Sequence, residues 1–264
     1  VKIFFQPPEE TTGGAARMIQ EGCIENPHVD YVIGLHVMPT WEAGEVEYRY
    51  GKLNAATDEL HIRIHGKGCH RAYPDTGTDA IVMAGAVINS LQALVSRNIS
   101  PLNQVVLTLG TIRGGTAANI IAGEVDITGT LRTTDPETRK FCWEAITRLT
   151  EHTCQAYGGK GEAEITPGYA ALINTPEMVD LLVETASSLV GPEHLHAKEF
   201  PSLGGEDFSF FLEKAPGVFW HLGCACREKG ITAPLHSAQF DIDESCLELG
   251  VNIQTHLALR LLAL

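Results

Sequence analysis

The chain is poor in positive charge: 19 Lys and Arg stand against 33 Asp and Glu, a formal net charge of −14. Nucleic-acid binding draws on clustered Lys and Arg that neutralise phosphates, so this balance argues against it. No apolar run approaches the roughly 20 residues of a membrane span, and the Leu257 to Leu264 stretch is short and interrupted by Arg260. There is no Gly-x-Gly-x-x-Gly and no Walker Lys-Ser/Thr, which removes the common nucleotide-binding readings. Internal repeats and low-complexity tracts are absent. The seven cysteines lie at irregular spacing behind no secretory signal, and Cys224-Ala-Cys226 is not a Cys-x-x-Cys motif. Reduced thiols in a cytoplasmic protein are therefore expected.

What is present is an α/β texture. Val1 to Phe5 reads as a buried strand, followed by a helix over Ala15 to Cys23 and a second apolar run, Tyr31 to Leu35, that ends in His36. Gly22 and Asn26-Pro27 close the helix. A chain that opens inside a core strand is expected to be preceded by further residues, because a lone first strand exposes its edges. From Leu60 the pattern changes. Leu60 to His65 alternates with period two, Thr78 to Arg97 is an amphipathic helix, and Val105 to Ile112 and Glu124 to Arg132 are strands. Asp135-Pro136-Glu137 starts a helix to about Tyr157, and Glu162 to Thr166 is a strand. This β-α-β-β-α-β order is the split-βαβ, ferredoxin-like pattern. It predicts an inserted domain over 57–166 within a larger domain built from 1–56 and 167–264. The larger domain continues with a helix from Pro176 to about Val190, a short helix from Glu206 to about Lys214, a strand from Val218 to Leu222 and a last helix from about Ser245.

Several polar groups could carry chemistry, and each has two open readings. Glu9 and Glu10 follow Pro7-Pro8 at a sheet edge, where open α/β sheets bind ligands. One carboxylate could ligate a metal while the other takes a proton from metal-activated water; alternatively the pair caps the next helix. His36 is either a ligand or a hydrogen-bonded core residue, and carboxylate with imidazole suits zinc, manganese or cobalt. His236, in a Pro-Leu-His-Ser loop, is the third candidate ligand. His70 follows Gly66-Lys67-Gly68-Cys69 and is otherwise a solvated turn residue. Asn119 and Arg132 flank strands of the insertion, where Arg132 could clamp a carboxylate or simply cover the surface. Glu206 and Asp207 could satisfy the start of their own helix. His28, His152, His194, His196, His221 and His256 show no convincing partners.

Taken in order, Phe5-Gln6-Pro7-Pro8-Glu9-Glu10, Gly34-Leu35-His36-Val37, Gly66-Lys67-Gly68-Cys69-His70, Ser96-Arg97-Asn98, Asn119-Ile120-Ile121, Gly129-Thr130-Leu131-Arg132, Gly205-Glu206-Asp207-Phe208 and Leu235-His236-Ser237 resemble the metal-dependent N-acyl-amino-acid amidohydrolases. These include the bacterial aminoacylases, hippurate hydrolases and auxin-conjugate hydrolases of the dinuclear aminoacylase–carboxypeptidase family. The resemblance implies a mixed, largely parallel sheet in the catalytic domain and an inserted ferredoxin-like lid that forms a homodimer. It implies Glu9 as general base, Glu10, His36 and His236 as ligands to two divalent cations (Zn, Mn, Co or Ni), and His70 reaching a partner's site to stabilise the oxyanion. Asn119, Arg132, Gly205 and Glu206 are implied in substrate binding. The implied reaction is hydrolysis of a small N-acyl-amino acid to a carboxylate and an amino acid. A dipeptidase, an aminobenzoyl-glutamate-type hydrolase and a non-catalytic dimeric binding module are the rivals. The family's remaining ligands, a Cys and a His in a His-x-Cys-Gly-His segment, are not in this sequence. The lid also departs from the family pattern, with Arg71-Ala72-Tyr73-Pro74-Asp75 lacking a second His and Asn119-Ile120-Ile121-Ala122 replacing Asn-Val-Ile-Pro.

Overall fold

The computed structural model describes residues 1–7, 9 and 13–264. Glu10, an expected ligand, lies outside the described residues. The chain divides into two compact units, one of Val1–Asn54, Leu172–Ser202 and Glu206–Leu264, the other of Ala55–Ala171 and Leu203–Gly205.

In chain order the first unit opens with helix α1 (Gly14–Gln20) and strands β1 (Val32–Glu42), β2 (Val46–Tyr48) and β3 (Gly51–Asn54). The second unit holds β4 (Ala56–His65), β5 (Cys69–His70), α2 (Ala80–Ala93), β6 (Val105–Gly114), β7 (Ile120–Ile121), β8 (Glu124–Thr133), α3 (Pro136–Ala156) and β9 (Lys160–Pro167). The first unit resumes with β10 (Leu172–Asn174), α4 (Pro176–Val190), β11 (Leu195–Ala197), α5 (Ser209–Leu212), β12 (Gly217–Ala225) and α6 (Ser245–Leu261).

The first unit is built on a mixed sheet of order β1-β12-β2-β11, in which β1 and β12 pair in parallel, as do β2 and β11, and β12 and β2 are antiparallel. All nine residues of β12 are buried, so it lacks the alternation of a one-sided strand. Val218, Trp220 and Leu222 pack with Leu182 and Ala186 of α4 and Ile253 and Leu257 of α6.

Two expectations fail here. Val1 to Phe5 joins no ladder, and Val1, Ile3 and Phe5 are exposed. The extended segment is instead held through alternate side chains. Lys2 Nζ donates to the Cys23 and Glu25 carbonyls, Phe4 stacks on Phe211 at 5.3 Å, and Gln6 bonds Asp207. The period of a strand is there without the backbone partners that make one. Second, His36 does not end its strand: β1 runs on to Glu42, and His36 sits at its centre.

The second unit is an antiparallel sheet of order β6-β8-β4-β9. Strand β4 alternates because α2 and α3 cover one face, where Ile62, Ile64, Ile127 and Leu131 meet Met83, Val87, Leu91 and Ile146. The other face carries charged pairs such as Arg63–Glu164 at 3.0 Å. Both helices begin on an aspartate: Asp79 accepts from the Ile81 and Val82 amides, and Asp135 from that of Thr138. Helix α2 passes into a π-helical turn over Leu94–Asn98. By length and composition alone Ala80–Asn98 would also cross a membrane, but its apolar stripe is taken up by the core of this unit.

Candidate active site

In the first unit, β1 places His36 half-buried at mid-strand, with Nδ1 2.6 Å from the Val37 carbonyl oxygen. A carbonyl only accepts, so Nδ1 carries the proton and Nε2 keeps the lone pair. A metal-ligating imidazole takes the same tautomer and anchoring, and so does a hydrogen-bonded core histidine. His236 is exposed in a turn and holds a positive φ of 62°. Glu10, the third member of the expected ligand trio, lies outside the described residues, and among the described residues no group of three His, Cys, Asp or Glu could hold a metal ion.

Glu9 is half-buried and lies within electrostatic reach of Glu206. Burial is the main cause that pushes the Glu206 carboxyl up to about 7; the negative charges of Glu9 and Asp207 add to it and the Phe208 amide opposes it. Glu206 Oε1 accepts that amide at 3.0 Å. Its neighbour Asp207 does not start its own helix as the sequence suggested. Its carboxylate accepts Gln6 Nε2 at 2.8 and 2.9 Å and the Ala15 amide at 3.0 Å. With both acids engaged in this way, only Ser209–Leu212 of the expected 206–214 helix is α-helical.

The second unit brings His70 and Asn119 together. The short β5–β7 ladder pairs His70 with Ile120, and the Arg71 amide donates to the Asn119 carbonyl at 3.1 Å. The Ala72 amide donates to His70 Nδ1 at 3.2 Å. Nδ1 is thus the acceptor, and the exposed ring presents Nε2–H as a donor. Arg132, on β8, donates from Nη1 to the Leu203 carbonyl at 2.6 Å. Gly205 has no room for a side chain: a Cβ there would lie 2.9 Å from both Thr57 Cγ2 and Tyr169 Cδ2.

Sequence reasoning overlooked a polar row that crosses the first sheet. Cα register pairs His36 with His221, His221 with Glu47, and Glu47 with His196 over four adjacent strands. The buried Glu47 carboxylate accepts from His221 Nδ1 at 2.6 Å, Lys198 Nζ at 2.9 Å and Trp41 Nε1 at 3.2 Å. His196 stacks on Trp41 at 3.8 Å and bonds Glu45, which also holds His194 at 3.0 Å. His194, His196 and His221 therefore do have partners. No local pattern reveals them, since Glu47 and His221 are 174 residues apart.

Comparison with known proteins agrees with this architecture. The model of peptidase family M20/M25/M40 matches residues 1–260. The chain is 39% identical over 251 residues to a Synechocystis sp. protein named "Probable hydrolase sll0100", covering 95% of this chain and 63% of the relative. It is 36% identical over 257 residues to an N-acetyldiaminopimelate deacetylase of Bacillus pumilus, covering 96% and 65%. The crystal structure of the Bacillus subtilis YXEP protein, described as a dinuclear metal-binding peptidase of the M20 family, superposes with a TM-score of 0.80 at 28% identity over 98% of this chain and 64% of that one. The chain thus spans just under two thirds of each relative's length. With a match that runs over nearly all of its residues, the chain belongs to peptidase family M20/M25/M40.

Proposed function

We propose that the protein is a metal-dependent amidohydrolase that cleaves N-acyl-amino acids, with acetyl or aroyl groups as the acyl part. The observation that carries this reading is the imidazole of His36, fixed through Nδ1 so that Nε2 is left for a cation. A deacetylase and a dinuclear peptidase among the relatives support amide chemistry at a two-metal centre. Glu10, His36 and His236 would hold two divalent cations (Zn, Mn, Co or Ni), which supply Lewis acidity and make a water proton easy to remove. Glu9 takes that proton as oxygen bonds to the acyl carbon, and returns it to the nitrogen as the C–N bond breaks. Carboxylate and free amino acid leave. Across the homodimer, the His70 Nε2–H of one subunit would reach the partner's site and, with Asn119, offer donors to the developing oxyanion. Arg132 keeps guanidinium N–H groups beyond the one spent on Leu203, and these can take a substrate carboxylate. Gly205 and Glu206 complete the substrate contacts.

A homodimer through the second unit is part of the proposal. Strand β6 is at the sheet's edge, and Ile112 on it and Ile81 and Val82 on α2 are exposed. An exposed edge with apolar neighbours is a template for pairing with a second copy. Seven free cysteines suit a reducing, cytoplasmic setting.

The test is turnover of N-acetyl-amino acids, N-benzoyl-amino acids and dipeptides by the metal-loaded protein, beside the same assay on Glu9→Gln. The expected result is preference for the N-acyl substrates and a loss in Glu9→Gln of about 10²–10⁴-fold at unchanged metal content. Preference for dipeptides would move the assignment to a dipeptidase. Full activity in Glu9→Gln would remove the base, and no turnover by the native enzyme would leave a binding module.

A further inference from the structure

Asp207 is 1% exposed. Its oxygens accept Gln6 Nε2 at 2.8 and 2.9 Å, and Oδ2 also accepts the Ala15 amide at 3.0 Å. Gln6 and Ala15 stand on either side of the segment 7–14, which contains Glu9. A second contact closes the same neck. A Cβ on Gly14 would lie 2.6 Å from the Pro7 carbonyl oxygen and 2.9 Å from Gln6 Cγ, so the two ends of the segment touch.

The chemistry makes this clasp strong. An ionised carboxylate that accepts several N–H groups forms charge-assisted bonds, about twice as strong as neutral ones. The Ala15 amide belongs to the first turn of α1, where helix donors have no intrahelical partner. Gly13, at the N-cap position, brings no side-chain bond of its own. Asp207 therefore caps α1 from 192 residues away.

We propose that Asp207 is a positioning residue that holds Gln6 and Ala15 together and thereby fixes the neck of the Glu9-bearing segment. Its catalytic consequence rests on the reading of Glu9 as the general base; the clasp itself does not. Catalysis is sensitive to such placement, since a misplacement near 1 Å can cost about 10²-fold.

The test substitutes Asp207→Asn, which keeps the shape and removes the charge, in the metal-loaded enzyme at saturating metal. Hydrogen exchange and kinetics are read together. The expected result is at least about tenfold faster exchange of amides 9–15 with β12 unchanged, and kcat down by about 10–100-fold with KM within about threefold. Gly14→Ala opens the neck without touching Asp207 and is expected to reproduce both effects, and it decides the matter if Asp207→Asn does not fold. In the double variant the losses should fall short of multiplying, because both act on one neck. Unchanged exchange at 9–15 overturns the proposal. So does faster exchange with wild-type kcat, or a loss of kcat accompanied by faster exchange throughout β12. If the native enzyme hydrolyses no amide, the functional reading falls, and exchange at 9–15 alone decides whether Asp207 is the clasp.

Discussion

Glu47→Gln tests the energetics of the polar row directly. Burial alone would raise this carboxyl above its ordinary 4.5, but the bonds from His221, Lys198 and Trp41 outweigh it and hold the group at about 2. A displacement of this size corresponds to about 3 kcal/mol of preference for the ionised form in the folded state. The folded value lies below the unfolded one, so the stabilisation is complete above about pH 4.5 and disappears as pH falls through about 2. Burial also keeps the His221 imidazole below its ordinary value, although Glu47 pulls it up; neutral at pH 7, it donates its Nδ1–H to the carboxylate. The substitution keeps the size of the side chain and its Trp41 contact and removes the charge. Urea unfolding followed by the fluorescence of Trp41 and Trp220, both in the first unit, is the assay. The variant should be less stable by about 3 kcal/mol near neutrality, and the gap should close between about pH 4.5 and pH 2. A gap that does not change with pH, or one that widens in acid, would refute the claim that an ionised Glu47 is the stabilising species.

Two further outcomes follow from named contacts. Arg139 holds the fully buried Asp58 carboxylate at 2.7 Å, with Trp143 Nε1 on its other oxygen at 3.0 Å, so Arg139→Ala strands a buried charge and should cost about 3–5 kcal/mol of second-unit stability by denaturant unfolding. His70→Ala should lower kcat by about 10²-fold with metal content unchanged, because its Nε2–H is offered outward and its backbone ladder remains; parallel metal analysis and kinetics would expose a ligand role instead.

The second unit was the more legible in sequence, for a physical reason. Its sheet is covered on one face only, so β4 and β8 print their burial as alternation, and Asp79 and Asp135 mark both helix starts. The first unit hides its rules. Val1 to Phe5 is apolar like a strand, yet its order comes from Lys2, Phe4 and Gln6 reaching to other segments. Glu206 and Asp207 look like caps of the next turn, and only the tertiary structure shows Asp207 capping α1. Histidine could be read as chemically apt at position 36 because a strand led to it. His221 had the same kind of neighbours and no visible partner, since Glu47 reaches it only through strand order.

That strand order raises the question of what fixes the register of β12. Hydrophobic patterning normally rejects a one-residue slip because it turns the apolar set to the wrong face. In β12 every residue is buried, and its core side chains alternate with Phe219, His221 and Gly223, so patterning discriminates weakly. A slip by two residues would keep each side chain on its own face and is not rejected by alternation at all. The polar row rejects both. A shift of β12 by either step would remove His221 from Glu47 and set an apolar or glycine residue against a carboxylate that is 7% exposed. A buried charge that loses a donor costs about 3–5 kcal/mol, more than the roughly 1.5 kcal/mol that bounds most exchanges of apolar packing at similar volume. The same register places His221 directly beside His36. The interaction that selects the alignment of the sheet therefore also sets which residue stands next to the proposed ligand, and a change at Glu47 is felt at both.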